Sequence, residues 1–219
     1  MAGFSNAEVA LIFDMDGVLI DNRVYHLQAW VEFCQRYGII ITAEEFDRSM
    51  FGGSNRDLLE KVFQKKLTEN EAKTLADEKE ALYRKLHAAD IHAMAGVKEF
   101  ILKARSAGIP VALATAAPRA NLDFMLDHTG MWGFFDVMTD DSQVIRGKPD
   151  PEIYLKTAAQ LGVPPETCIV FEDSLTGIKS AQTAGMKVIG VTTSFSGEAL
   201  KHTWKQINTF EKLSLNDLR

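Results

Sequence analysis

The sequence predicts an α/β fold in which a parallel sheet with crossover helices is interrupted by an all-helical insertion. Short apolar runs alternate with stretches of helical periodicity within residues 1–20 and again within residues 94–219, which is the pattern of a parallel sheet. Residues 21–93 show helical periodicity without a convincing strand. We therefore expect a core domain built from the two outer segments and a helical domain built from residues 21–93.

The composition limits the classes of function. The chain has 219 residues, of which 46% are apolar, and its formal net charge is −6, so a nucleic-acid partner is not expected. No apolar run is long enough to span a membrane and the first residues lack a secretory pattern, so we expect a cytoplasmic protein without a membrane partner. Cys34 and Cys168 suit buried free thiols better than a disulfide or a zinc site.

The first strand is expected at residues 9–13, an apolar run that ends in Asp14, Asp16 and Gly17. Side chains alternate along an extended segment, so the two carboxylates can point the same way, and Gly17 allows a sharp turn. Neighbouring carboxylates repel each other unless a cation or a proton compensates them. An acidic turn without function is the alternative interpretation.

The helical insertion carries its own start signals. A helix is expected at residues 25–37. Thr42 with Glu45, and Thr68 with Glu71, have the spacing of a capping box, which satisfies backbone N–H groups at the start of a helix.

A glycine-rich loop at residues 51–57 lies between two of these helices, and Ser54 within it can cap the next helix. Such a loop can contact an anion. A plain turn between helices explains the same residues.

The second part of the core repeats the strand and helix alternation. Further strands are expected at residues 109–115, 136–140, 168–173 and 187–192. Helical patterns separate them at residues 97–107, 118–128 and 150–161, and another ends near residue 185. The tail from residue 197 is weakly patterned.

Polar residues stand at the carboxyl ends of these strands, where ligands bind in open parallel sheets. They are Asp14, Asp16, Thr115, Glu172 and Asp173. Lys148, in a loop, can join this cluster or be an ordinary surface lysine. No GxGxxG follows the first strand, which argues against a dinucleotide site.

Four acids with a lysine and a hydroxyl suit Mg²⁺ and a phosphoryl group. Mg²⁺ prefers oxygen ligands, for which Asp14 and Asp173 are the obvious side-chain donors. Lys148 and Thr115 would help to neutralise a phosphoryl group. Asp14, at the strand end, is the better nucleophile, and Asp16 is then available for proton transfer.

Four motifs occur in a fixed order along the chain. They are DMDGVLID with Asp14 and Asp16, Thr115 after the second strand, GKPDPEIY with Lys148, and FEDS with Glu172 and Asp173. The chain thereby resembles the haloacid dehalogenase (HAD) superfamily. YHLQAW at residues 25–30, GKPDPEIY and FEDSLTGI are similar to its β-phosphoglucomutase-like branch. The resemblance implies a Rossmann-like core with a helical cap of the C1 type.

The resemblance also implies roles for individual residues. Asp14 would be the phosphorylated nucleophile and Asp16 the general acid and base. Mg²⁺ would be held by Asp14, the Asp16 backbone carbonyl and Asp173, with Glu172 near the metal, while Thr115 and Lys148 would bind the phosphoryl group. The substrate-binding residues implied in this way are His26, Gly52, Ser54, Asn55 and Ala116.

The cap loop and the second motif depart from the mutase pattern. β-Phosphoglucomutases carry a lysine before the loop glycine and an arginine after its serine, where this chain has Phe51 and Asn55. Their second motif is richer in serine and is followed by lysine, where this chain has Ala117 and Pro118.

Three further residues have two interpretations each. Arg56 or Arg119 can compensate for the missing basic groups, or both can be surface arginines. His26 matches a mutase cap histidine, but a histidine in the first turn of a helix is also a common packing or capping residue.

The sequence thus favours a Mg²⁺-dependent phosphatase that hydrolyses a small phosphate ester, such as a sugar phosphate, through an aspartyl phosphate. The alternative is a β-phosphoglucomutase-type isomerase, which must also hold a second phosphate. A catalytically silent module of the same fold is a further alternative. The expected partner is a small phosphorylated metabolite and the expected state is a monomer. The leaving group stays open.

Overall fold

The computed structural model describes residues 9–49 and 54–218. The chain divides into two compact units, one made of Met1–Asp21 with His92–Arg219 and the other of Asn22–Ile91. The boundaries expected from the sequence, after residues 20 and 93, differ from these by one and two residues. Within the described residues, no helix has the length and apolar character that a membrane span requires.

The core unit contains one six-stranded sheet, as the fold class predicts. Its strands are β1 Ala10–Phe13, β2 Val111–Ala114, β3 Val137–Thr139, β4 Cys168–Glu172, β5 Lys187–Val191 and β6 Lys205–Ile207. The strand order is β3-β2-β1-β4-β5-β6, and every neighbouring pair is parallel. All residues of β1, β2 and β4 are buried, which explains why these strands appear in the sequence as continuous apolar runs.

The last strand, β6, was not expected from the sequence. Its three residues are Lys, Gln and Ile, they are not buried, and they carry no apolar alternation. They form a strand because they pair with β5 in the register Ile189 with Lys205 through Val191 with Ile207. A backbone ladder at the edge of a sheet needs no apolar side chains, so local patterning does not detect it.

Among the residues that the structure describes, each unit contains four α-helices. Those of the helical unit are α1 Arg23–Arg36, α2 Ala43–Ser49, α3 Asn55–Phe63 and α4 Glu69–His87. Those of the core unit are α5 Val97–Ser106, α6 Arg119–Thr129, α7 Glu152–Leu161 and α8 Leu175–Thr183. Short 3₁₀ turns occupy Asp141–Gln143, Pro165–Thr167 and Leu215–Leu218. The described residues of the helical unit contain no strand, as expected.

The predicted helix starts are confirmed where the structure describes them. Thr68 and Glu71 form a complete capping box at the start of α4. Thr42 and Glu45 exchange the same pair of hydrogen bonds, with Thr42 N donating to Glu45 Oε2 at 2.9 Å and Glu45 N to Thr42 Oγ1 at 3.2 Å.

The core of the sheet sets the register of the functional strand ends. Phe13 of β1 and Phe171 of β4 are register partners, and their rings stack with centroids 4.5 Å apart. Asp14 N donates to the Phe171 carbonyl oxygen at 3.0 Å. The residue after β1 is thereby held beside the end of β4.

Cys34 and Cys168 are both free and buried, as expected.

Candidate active site

Three strand ends meet at the carboxyl edge of the sheet. β1 lies between β2 and β4, so Asp14 after β1 has Thr115 on one side and Glu172 and Asp173 on the other. Carboxylate oxygens of Asp14, Glu172 and Asp173 all lie within 4.8 Å of one another, and all three residues are buried. The convergence expected for these three acids is observed.

Lys148 joins this group of acids. Its Nζ atom lies 2.9 Å from Asp14 Oδ1 and 2.6 Å from Glu172 Oε1. Its side chain is 5% exposed, so the interpretation as a surface lysine is wrong. The two interacting residues Asp14 and Lys148 lie 134 positions apart in the sequence.

The turn after Asp14 brings the chain against Asp173. Gly17 has a φ of +73°, and a Cβ atom at this position would overlap with the Asp173 carboxylate. Only glycine satisfies both conditions without strain. The turn is held by the Gly17 N–H, which donates to the Ile20 carbonyl oxygen at 2.8 Å. Asp16, within the turn, is partly exposed, and its charge contributes to raising the pKa of Asp14.

The cluster carries more negative than positive charge. The pKa of Asp14 is raised to about 7, mainly by burial and also by the neighbouring Glu172 and Asp16, against the opposing effect of Lys148. Burial, followed by Glu172 and Asp14, also holds the pKa of Asp173 well above its usual range. One ammonium group among three buried carboxylates leaves a surplus that protons or a cation must balance.

This donor set fits a hard divalent cation. All three acids have carboxylate oxygens within 4.8 Å of one another, and oxygen is the ligand that Mg²⁺ and Ca²⁺ prefer. Burial and the neighbouring acids raise the pKa values of Asp14 and Asp173, and a bound cation would stabilise their charged forms. The residues present are therefore compatible with a bound divalent metal.

Thr115 and Ala116 follow β2. Thr115 is buried, and its Oγ1 accepts the Ala117 N–H at 3.0 Å, which tightens the turn before α6. Its own N–H donates to the Thr139 carbonyl oxygen at 2.9 Å. Ala116 is exposed. Arg119, at the start of α6, pairs with Asp123 at 2.8 Å, and its side chain is 51% exposed, as expected for a surface arginine.

Two contacts in the site were missed at the level of sequence. The Ser194 hydroxyl donates to Asp173 Oδ2, and the Tyr154 hydroxyl donates to Glu172 Oε1 at 2.8 Å. Ser194 lies in an irregular segment after β5 and carried no signal. Tyr154 is the last residue of GKPDPEIY, so the motif contained it without indicating its contact.

The helical unit contains a further polar group, which we call the cap cluster, made of the buried Lys79 and Glu80 and the partly exposed His26 and Asn55. Lys79 Nζ lies 2.8 Å from Glu80 Oε1 and 3.1 Å from His26 Nδ1. Asn55 Nδ2 donates to the same Glu80 oxygen at 2.8 Å. The structure thus brings together two predicted substrate-binding residues, His26 and Asn55, with two that sequence reasoning did not select.

The other predicted cap residues have structural partners or lie outside the described residues. Ser54 caps α3 by accepting the Asp57 N–H at 3.2 Å, as expected. Arg56 donates to the Leu67 carbonyl oxygen at 3.2 Å. Gly52 and Phe51 lie outside the described residues.

Comparisons with known proteins agree with this geometry. Residues 11–191 match the family of haloacid dehalogenase-like hydrolases. A phosphorylated carbohydrates phosphatase from Thermotoga maritima is 36% identical over 197 residues, which cover 87% of this chain and 89% of the relative.

Two solved structures share the fold over nearly the whole chain. A HAD hydrolase of family IA, variant 3, from Entamoeba histolytica has a TM-score of 0.88 and 31% identity, covering 96% of this chain and 97% of its own. A β-phosphoglucomutase from Clostridium difficile has a TM-score of 0.84 and 30% identity, covering 97% and 96%. These matches confirm the predicted family, and the chain belongs to the haloacid dehalogenase-like hydrolases, in the β-phosphoglucomutase-like branch that includes named phosphatases.

Proposed function

We propose that this hydrolase is a Mg²⁺-dependent phosphatase that cleaves a small sugar phosphate through an aspartyl-phosphate intermediate. The observation that carries the proposal is the position of Asp14. Its carboxylate is buried at the end of the central strand, beside two other acids, and one of its oxygens is 2.9 Å from the Lys148 ammonium. A fixed carboxylate next to a buried cation is suited to attack a phosphoryl group.

The proposed reaction has two steps. In the first, an oxygen of Asp14 forms a bond to phosphorus while the ester P–O bond breaks, and Asp16 gives a proton to the departing alcohol oxygen. In the second, Asp16 takes a proton from water, the water oxygen bonds to phosphorus, and the bond to Asp14 breaks. Inorganic phosphate and free Asp14 are the result.

The remaining residues bind and orient the phosphoryl group. Lys148 and the Thr115 hydroxyl would contact its oxygens. Asp14, Asp173 and the Asp16 backbone carbonyl would hold Mg²⁺, which when bound neutralises negative charge on the carboxylates and on the phosphoryl oxygens. This assignment is consistent with the surplus of negative charge around Lys148.

The substrate class rests on the relatives. The Thermotoga maritima relative is named for phosphorylated carbohydrates, which supports a sugar phosphate here. A sugar phosphate offers the alcohol leaving group that the proposed reaction requires.

The cap cluster favours hydrolysis over isomerisation. A mutase must hold a second phosphate, which calls for cationic donors. In this chain the buried cation of the cap cluster, Lys79, is paired with Glu80 at 2.8 Å. Asn55, at the position of the mutase arginine, donates its amide to Glu80. The isomerase alternative keeps one direct test, which is conversion of β-glucose 1-phosphate to glucose 6-phosphate when primed with the bisphosphate.

The proposal is tested by phosphate release from a panel of sugar phosphates in the presence of Mg²⁺, with wild type, Asp14→Asn and Asp140→Asn. Asp140 is a matched control because it too is a buried aspartate directly after a strand, 2% exposed, and it bonds to Ser142. We expect Asp14→Asn to lose at least about 10³-fold in turnover and Asp140→Asn to stay active. Ordinary turnover by Asp14→Asn would contradict the proposed nucleophile.

A further inference from the structure

The Glu172 carboxylate accepts five hydrogen bonds from neighbouring groups. Its Oε1 accepts from Lys148 Nζ at 2.6 Å and from the Tyr154 hydroxyl at 2.8 Å. Its Oε2 accepts the N–H groups of Asp173 and Ser174 and the Ser174 hydroxyl, each at 3.0 Å. An ionised carboxylate offers about four lone-pair positions, so these five donors occupy it fully. Glu172 therefore acts as an anchor for its neighbours.

The surroundings of Glu172 are built to keep it in place. The residue is fully buried. A Cβ atom at Gly177, on α8, would overlap with its carboxylate, so the helix comes close because this position is glycine. The carboxylate has little room to move, and whatever binds it is positioned in turn.

Tyr154 contacts both members of the Glu172 and Lys148 pair. It lies on α7, is fully buried, and belongs to an apolar cluster that also contains Ile12 and Val170. Its hydroxyl bonds Glu172, and the Lys148 ammonium lies 5.0 Å from the centre of its ring. An ammonium at this distance from an aromatic ring is attracted by it.

We infer that Tyr154 is a positioning residue that, through Glu172 and through its own ring, holds the Lys148 ammonium against Asp14. The hydroxyl shares Glu172 Oε1 with Lys148, so the ammonium is not drawn wholly to Glu172 and keeps its 2.9 Å contact with Asp14. Without the hydroxyl, Lys148 is left as the donor to that oxygen and shifts toward it. This inference rests on the proposed phosphatase function, in which Lys148 binds the phosphoryl group.

The first test compares Tyr154→Phe with Thr157→Val. Thr157 lies on the same helix and is also fully buried, and its hydroxyl bonds Thr139 Oγ1 at 2.9 Å and the Ile153 carbonyl oxygen at 2.7 Å. Both variants therefore lose one buried hydroxyl group, but only Tyr154→Phe loses a contact with Glu172. Kinetics are measured on the sugar phosphate that wild type hydrolyses fastest, and thermal unfolding is followed in parallel.

We expect Tyr154→Phe to lower kcat about 10-fold, the effect of one hydrogen bond to a charged group, with little change in KM. Thr157→Val should keep the wild-type kcat at a similar unfolding temperature. Tyr154→Leu, which also removes the ring, should lower kcat further. A Tyr154→Phe enzyme with the kcat of Thr157→Val would overturn the inference, even if Tyr154→Leu fails to fold.

A second measurement does not depend on turnover. Exchange of the Lys148 ammonium protons with water is followed by NMR of protein labelled with ¹⁵N-lysine, with the signal assigned through Lys148→Arg. We expect exchange to accelerate about 10-fold in Tyr154→Phe and to stay unchanged in Thr157→Val. Equal exchange rates in both variants would overturn the inference. A wild type that hydrolyses no phosphate ester would instead reject the proposed function, while this measurement would still decide the role of Tyr154.

Discussion

Each unit of the protein buries a lysine against a glutamate and an aromatic ring. In the core unit, Lys148 lies 2.6 Å from Glu172 and 5.0 Å from the centre of the Tyr154 ring. In the helical unit, Lys79 lies 2.8 Å from Glu80 and 5.2 Å from the centre of the Trp30 ring. The local arrangement is almost the same, so the difference in chemistry comes from the other groups nearby.

That difference is the balance of charge. Lys148 also contacts Asp14, and Asp173 lies within the same cluster, so one cation faces three carboxylates. Lys79 faces Glu80 as an ion pair, and its further contact is the ring nitrogen of His26. The charges of Lys79 and Glu80 neutralise each other. The acids around Lys148 outnumber the cation, so a metal ion or bound protons must neutralise the remaining negative charge. The surplus of acids around Lys148 therefore distinguishes the candidate active site from the cap cluster.

The largest expected effect comes from removing the core lysine. We expect Lys148→Met to lower turnover at least about 10³-fold, because the phosphoryl group and Asp14 lose the charge that stabilises the transition state. The control is Lys103→Met, which removes an exposed lysine of the core unit and should keep turnover. Near-wild-type kinetics in Lys148→Met would mean that the Lys148 charge does not stabilise the transition state.

The lysine of the cap cluster should matter mainly for stability. Lys79→Met removes the ammonium that compensates the buried Glu80, and we expect the free energy of unfolding to fall by about 3–5 kcal/mol. The double variant Lys79→Met with Glu80→Gln removes both charges and should recover most of that loss, as measured by urea unfolding. If the double variant is as unstable as the single one, the pair does not form a self-compensated unit.

The smallest expected effect is the change in the free energy of unfolding per pH unit, measured on the protein without metal. The folded-state pKa of Asp14 is about 7, raised from 3.8. The folded protein therefore holds a proton that the unfolded chain releases between these values. The free energy of unfolding should consequently fall as pH rises from about 4 to 7, by at most about 1.4 kcal/mol per pH unit for this group.

Mg²⁺ provides the matching control for that slope. Added Mg²⁺ should raise the unfolding temperature most above pH 7, where Asp14 is charged, and Asp173→Asn should weaken this rise. Asp140→Asn, outside the acid cluster, should keep it. An equal pH slope of stability in metal-free wild type and metal-free Asp14→Asn would contradict the assigned direction of the Asp14 shift.

Much of the fold was predictable because its signals are local. The strands β1, β2 and β4 are buried throughout, and the capping box of Thr68 and Glu71 formed where its spacing predicted. The acids after β1 and β4 were predictable as a group because parallel strands bring their carboxyl ends to one edge. The family assignment followed from the order of these motifs.

Other features depended on partners far away in sequence. β6 forms because its backbone pairs with that of β5. Ser194, in an irregular segment, donates a hydrogen bond to Asp173. Lys79 and Glu80 are ordinary charged residues of a helix until packing buries them. Neither residue differs from a solvated neighbour in a way that periodicity reveals.

The sequence by itself determined which ionisable groups lie at the strand ends, because apolar strands and turn glycines are recognised from residues that are adjacent in the chain. The tertiary structure alone decided how their charges are balanced. Asp14 and Lys148 are 134 positions apart, and only the folded sheet, with Tyr154 on its adjoining helix, brings them within hydrogen-bond distance. Electrostatic interactions depend on distance and burial, and neither is a local property of the chain.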